Sequence, residues 1–252
     1  MFDASQFTVS KPKPIPVLLL LDTSGSMSGS KITALNTAVR KMLGTFRKAE
    51  LESEVLVSII TFGAEVKRAF PFTPVSQVQF EDLGAYGGTP LGVALRMAKA
   101  MLEDRDETPS RIYRPTVVLV SDGQPTDSWE KPLEEFISGG RSSKCDRMAM
   151  GIGADADKNV LARFIQGTDE PLFEAESAED IVNFFKKVTM SVTQTVGGSV
   201  SRHSAPSAPS TPSRSSAVGG SAFGSTGSAA GTGASQPQTS TSSQDDDYDS
   251  FW

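Results

Sequence analysis

Residues Val17 to Met27 read VLLLLDTSGSM, and no other stretch limits the possible folds so tightly. Five consecutive apolar residues, Val17 to Leu21, stop at an aspartate, Asp22. Two hydroxyls, Ser24 and Ser26, then flank Gly25. An apolar run of this length, bounded by polar turn residues, predicts a strand buried on both faces. Open α/β sheets place their ligand sites at the carboxyl ends of such strands. Asp22, Ser24 and Ser26 offer only oxygen donors, which suit a hard cation such as magnesium, calcium or manganese. The same residues also make an ordinary strand, turn and helix cap. This stretch alone does not separate the two readings.

Two later stretches bear on the choice. One is Gly87-Gly88-Thr89-Pro90-Leu91; the other is Val117 to Asp127, VVLVSDGQPTD, where a second buried strand ends in Asp122. Each donor has an ordinary role as well. Thr89 before Pro90 is a good helix N-cap. Asp122-Gly123 is a common turn pair. Ser26 can cap the first helix. Ser121 is a strand-end hydroxyl placed to orient the loop, and Asp127 suits the N-cap of the next helix.

Taken together, D-x-S-x-S, then a threonine, then an aspartate after a strand resembles the metal-ion-dependent adhesion site (MIDAS) of von Willebrand factor A (VWA) domains. The resemblance covers about residues 14–190. It implies a three-layer, doubly wound (Rossmann-like) α/β fold with a mostly parallel six-stranded sheet. The implied strand order is 3-2-1-4-5-6, with strand 3 antiparallel at the edge. The implied metal residues are Asp22, Ser24, Ser26, Thr89 and Asp122, holding Mg2+ (or Mn2+ or Ca2+). Ser24, Ser26 and Thr89 are the implied direct ligands; Asp22 and Asp122 act directly or through water. The resemblance also implies an open position, filled by an Asp or Glu of a protein partner. Through LLDTSGSM, ITF, GGTPLGVAL and VLVSDGQPTDSW the chain looks closest to the bacterial TerY-like branch. That branch implies an adaptor in a phosphorylation-linked stress system such as tellurite resistance. Its implied partners are a PPM-type protein phosphatase and a protein kinase.

The rest of the chain supports alternating strands and helices. The first strand is expected at about 15–21. Helical spacing runs from Lys31 to Arg47, with Ile32, Leu35, Val39, Met42, Leu43 and Phe46 on one face and Ser30 as N-cap. Val55 to Phe62 reads as a second strand, and Glu65 to Phe72 as a third across a tight turn. Residues 73–90 lack periodicity and form a long loop, a common place for function. A helix follows at 90–102, a strand at 115–121, a helix at 129–138 and a strand at Met148 to Ile152. A short helix at 157–166, an edge strand at Pro171 to Glu174 and a helix at 178–190 complete the domain. Ser177 with Asp180 resembles a capping box.

The chain has 252 residues and a net charge of −6, room for one large domain plus a tail. Three segments are expected: a flexible arm over 1–13, the VWA domain over 14–195 and a disordered Ser/Gly/Pro-rich tail over 196–252. The tail composition cannot bury enough apolar surface to offset chain entropy. It ends in DDDYDSFW, a short acidic-aromatic peptide that reads first as a docking tag for another protein and, as the alternative, as a source of carboxylates for the open metal position. The acidic balance argues against a nucleic-acid surface. No run reaches the roughly 18 apolar residues of a membrane span. The single cysteine, Cys145, permits no internal disulfide and reads as a small core residue. A cytoplasmic location is expected.

Two catalytic classes are weaker. A Ser24 nucleophile needs a base, and the only histidine, His203, falls in the tail. Asp22 as a phosphoryl acceptor resembles haloacid-dehalogenase phosphatases, but the second aspartate they need is Ser24 here. Residues Gly151-Ile152-Gly153 lack the full nucleotide-loop pattern. The expectation is a non-catalytic, metal-dependent protein-binding module. A metal-dependent phosphohydrolase and a metal-independent scaffold are the alternatives.

Overall fold

The apolar run expected as the central strand is β1, Ile15–Asp22, and every residue in it is buried. In the computed structural model, residues 13–49 and 53–200 are described, with backbone alone for 195–200. Most of the expected arm, the DDDYDSFW end and His203 lie outside the described residues. Six strands form one sheet in the order β3-β2-β1-β4-β5-β6. These are β2 (Val55–Phe62), β3 (Val66–Pro74), β4 (Thr116–Ser121), β5 (Asp146–Ile152) and β6 (Phe173–Ala175). All neighbours pair parallel except β2 with β3, which makes β3 the antiparallel edge. β3 has no fully buried residue, as an edge strand tolerates.

Because strand side chains alternate faces, β1 feeds two cores. Val17, Leu19 and Leu21 pack with α1 (Ser30–Lys48) and α5 (Ala178–Val200). Leu18 and Leu20 pack with α2 (Leu91–Glu103), α3 (Glu130–Ser138) and α4 (Lys158–Phe164). Each buried Leu, Ile, Val or Phe contributes about 1.5–3 kcal/mol of transfer free energy. The three-layer doubly wound architecture is therefore the one the buried runs require.

Several local expectations shift. Ser30 lies inside α1; the cap position is Gly29, with no side-chain hydrogen bond. β5 begins at Asp146, two residues before the apolar run. α5 continues to Val200 rather than stopping at 190, and Val192 stays on its buried face. The Ser177–Asp180 box does form: Asp180 Oδ2 accepts from Ser177 N at 2.9 Å and Ser177 Oγ at 2.7 Å. Cys145 is buried, and burial pushes its thiol up to about 12, so it stays protonated at neutral pH. Among the described residues, no helix is long and apolar enough to cross a membrane.

The order reverses direction between β1 and β4, which pair directly, with Leu21 opposite Val120. Asp22 and Asp122 follow these paired ends, so both fall at the switch point of the sheet.

Candidate functional site

The structure brings Asp22, Ser24, Ser26, Thr89 and Asp122 to one end of the sheet, from three loops. Asp22, the last residue of β1, is fully buried. Its Oδ1 accepts from Ser24 N at 2.8 Å, and its Oδ2 accepts from Ser121 Oγ at 2.5 Å. Ser24 Oγ and Ser26 Oγ lie 3.0 Å apart. Ser26 Oγ in turn donates to Asp122 Oδ1 at 2.7 Å. Four of the five are thus joined by a short polar chain from β1 to β4, with Thr89 beside it. A Cβ placed on Gly123 would meet Ser26 Oγ at 3.5 Å and Thr89 Oγ1 at 3.9 Å.

The 84–90 loop is held against the 22–25 loop by main-chain hydrogen bonds. Tyr86 N donates to Thr23 O at 2.8 Å, and Gly25 N donates to Gly87 O at 2.9 Å. Ala64 N donates to Tyr86 O at 2.9 Å, which ties in the β2–β3 turn. Gly87 has φ +85°, and a Cβ there would lie 2.4 Å from Ala64 N. Only glycine permits both the backbone conformation and the approach. Thr89 is buried and fixed by the loop after β4. Its N donates to Thr126 Oγ1 at 2.9 Å, and its O accepts from Thr126 N at 3.0 Å.

Asp127 does not cap α3, as the sequence suggested. Its Oδ1 and Oδ2 accept from Gly92 N and Val93 N, both at 2.9 Å, and so cap α2 from across the loop. Thr89 has no role as a side-chain cap; Pro90 holds the cap position of α2. Ser26 sits in a short 3-10 turn ahead of α1 and bonds to Asp122 instead of capping the helix.

Electrostatically, burial pushes the Asp22 carboxyl above its ordinary range, and nearby Asp122 adds a smaller push. Hydrogen bonds from Ser121 and Ser24 oppose both. Two carboxylates held together in a low-dielectric pocket stabilise positive charge beside them. One such charge is present: Lys31 Nζ lies 2.5 Å from Asp122 Oδ2. Lys31 was not singled out from the sequence. Its signal is a cation in the first turn of a helix, where the dipole favours anions.

The donor set passes the chemical test for a hard divalent cation. Two carboxylates and three hydroxyls supply oxygen alone, which favours magnesium, manganese or calcium over softer ions. Among the described residues, no group of three or more His, Cys, Asp or Glu side chains is gathered to hold a metal. Any ion here therefore depends on the neutral hydroxyls. The site opens into a cleft of about 710 Å³ that continues past Asp155 and Asp157 in the β5–α4 loop.

The chain is similar to known proteins over this same region. Inter-alpha-trypsin inhibitor heavy chain H4 of Sus scrofa is 28% identical over 202 residues, covering 73% of this chain and 21% of the relative. Matrilin-3 of Gallus gallus is 23% identical, covering 68% of this chain and 38% of the relative. The chain thus spans well under half the length of these curated relatives. Among solved structures, a von Willebrand factor type A protein from Catenulispora acidiphila superposes with a TM-score of 0.57 at 17% identity, covering 72% and 43% of the two chains. Proximal thread matrix protein 1 from the mussel byssus, solved with a zinc-occupied MIDAS motif, superposes at 0.55 and 16% identity, covering 73% and 47%. The von Willebrand factor type A domain model matches residues 17–187, well over half of the sequence, and the chain belongs to that family.

Proposed function

We propose that this protein is a non-catalytic, metal-dependent protein-binding module. Asp22, Ser24, Ser26, Thr89 and Asp122 would hold one divalent cation, Mg2+ or else Mn2+ or Ca2+. The observation that carries this reading is the convergence of the five oxygen-bearing side chains from three loops at the sheet switch point. When bound, the cation supplies an electrophilic position for a carboxylate. The chain's own residues do the rest. Asp22 fixes the β1 loop through Ser24 N and Ser121 Oγ. Ser26 and Asp122 couple that loop to β4. The Thr126 pair holds Thr89 at the rim. A protein partner presenting Asp or Glu fits this arrangement.

The motifs LLDTSGSM, GGTPLGVAL and VLVSDGQPTDSW support a narrower reading: a TerY-like bacterial adaptor working in the cytoplasm. Its partners would be a PPM-type protein phosphatase and a protein kinase in a tellurite-type stress response. Calorimetric titration of Mg2+ and Mn2+ into the protein tests the core of the proposal. One site per chain is expected, weakened at least tenfold in Asp22→Ala and Thr89→Ala. Unchanged affinity in both variants would sink it. Pull-down with and without EDTA, read by mass spectrometry, tests the partners. Turnover of a generic phosphatase substrate that needs Asp22 would instead favour a phosphohydrolase.

A further inference from the structure

Lys31 is the second residue of α1, a position where a cation opposes the helix dipole. Its side chain turns back to Asp122, with Nζ 2.5 Å from Oδ2. The Asp122 side chain is fully buried, whereas that of Lys31 is 30% exposed. The other Asp122 oxygen accepts from Ser26 Oγ, so both oxygens are engaged. The far end of Lys31 passes the turn after β5. A Cβ on Gly153 would lie 3.6 Å from Nζ and 3.7 Å from Cε. The lysine is thus held between Asp122 and the Gly153 turn, within the loops that frame the site.

The charges can be counted. Asp22 and Asp122 contribute two negative charges, enough to neutralise a divalent cation. A neutral loaded site can still coordinate a carboxylate but exerts no net charge attraction on it from a distance. Lys31 removes one of those negative charges from the balance, which leaves the loaded site at net +1.

We propose that Lys31 is a built-in counter-charge that tunes the site. It lowers the affinity for the cation and raises the loaded site's attraction for an anion. The inference rests on the metal reading above and adds a residue outside the five. Its signature is a pair of opposite effects. Losing the charge strengthens cation binding and weakens carboxylate binding, a combination that a purely structural lysine would not produce.

The test uses the full chain with Mn2+ as probe. Free Mn2+ is counted by electron paramagnetic resonance. Carboxylate binding is read from the relaxation that bound Mn2+ imposes on acetate methyl protons. Lys31→Met keeps the aliphatic stem, Lys31→Gln is a second neutral variant, and Lys31→Arg keeps the charge. Thermal melts confirm that each is folded. Removing a unit positive charge paired with Asp122, one of the residues that would hold the ion, should tighten Mn2+ binding roughly tenfold in the neutral variants. Acetate relaxation per bound Mn2+ should fall severalfold in both, with Lys31→Arg close to wild type. Equal or weaker Mn2+ binding in the neutral variants, or an unchanged acetate response, overturns the proposal. Absence of Mn2+ binding in the wild type is a different result: it overturns the metal reading and this inference with it.

Discussion

The Ser121 hydroxyl donates to Asp22 Oδ2 at 2.5 Å, and both residues are buried. Ser121 ends β4 and Asp22 ends β1, so one hydrogen bond joins the two strand ends at the switch point. Asp22 Oδ1 meanwhile holds Ser24 N. Asp22 is therefore a structural joint as well as a candidate ligand. Its carboxylate sets the direction in which the serine loop leaves the sheet.

Ser121→Ala should loosen that joint. A hydrogen bond to a charged group contributes about 1.5–3 kcal/mol, and here the acceptor stays buried when the donor is lost. Urea unfolding should show a loss in that range. Mn2+ affinity should fall too, because the Ser24–Ser26 loop loses its anchor. A stability change below about 0.5 kcal/mol would show that Ser121 is incidental.

Asp127→Ala should cost about 1–2 kcal/mol, the usual loss for a helix cap. The affected helix is α2, although Asp127 lies only three residues before α3. Hydrogen exchange locates the effect: the first turn of α2 should lose protection while α3 keeps it. The reverse pattern would restore the local reading of Asp127.

That case shows where the sequence was legible and where it was not. The buried strands announced themselves as apolar runs, and the two aspartates marked their carboxyl ends. Helix faces followed from spacing, and the Ser177–Asp180 box from its short, local pattern. What escaped depends on partners far along the chain. Asp127 reaches back to Gly92 and Val93, and Tyr86 and Gly87 pair with Thr23 and Gly25. Lys31 finds Asp122 across 91 residues. Asp146 and Arg147 hid the start of β5, since a charged pair reads as loop until its partners are known.

Glu103 gives a pH prediction. Burial pushes its carboxyl up, but donation from Ser142 N, Arg141 N and Lys99 outweighs that and holds it below its ordinary value. Its Oε1 accepts from Arg141 N at 2.7 Å and Ser142 N at 3.2 Å, joining the end of α2 to the segment before β5. With a depressed folded pKa, the unfolded chain binds the proton first as pH falls. The stabilisation is therefore complete above about pH 4.3 and is lost as pH drops through the lower folded value. Glu103→Gln should be less stable than wild type at pH 7. The gap should close as pH falls below about 4.3 in urea titrations. A gap that stays constant over that range would rule out the carboxylate as its source.

Arg147 offers the sharpest test of the fold away from the site. It is buried, at 3% exposure, as the second residue of β5. It forms no ion pair with a carboxylate among the described residues; its donors go to main-chain oxygens. Nε donates to Phe164 O at 2.8 Å, one terminal nitrogen to Gln166 O at 2.7 Å, and the other to Ser143 O at 3.1 Å. The guanidinium thus closes the carboxyl end of α4, where carbonyls lack partners and the dipole favours a cation. Burial lowers its pKa, yet the group stays charged at any ordinary pH. Arg147→Met keeps the stem and strands those carbonyls, each worth about 1–3 kcal/mol when buried and unpaired. Arg147→Lys keeps the charge, but one ammonium cannot span the oxygens of Phe164, Gln166 and Ser143 on two segments as the planar fork does. Both variants should lose about 3 kcal/mol or more in urea unfolding, with faster exchange at the end of α4. Rescue by lysine to within about 0.5 kcal/mol would mean that charge alone, not the fork, closes the helix.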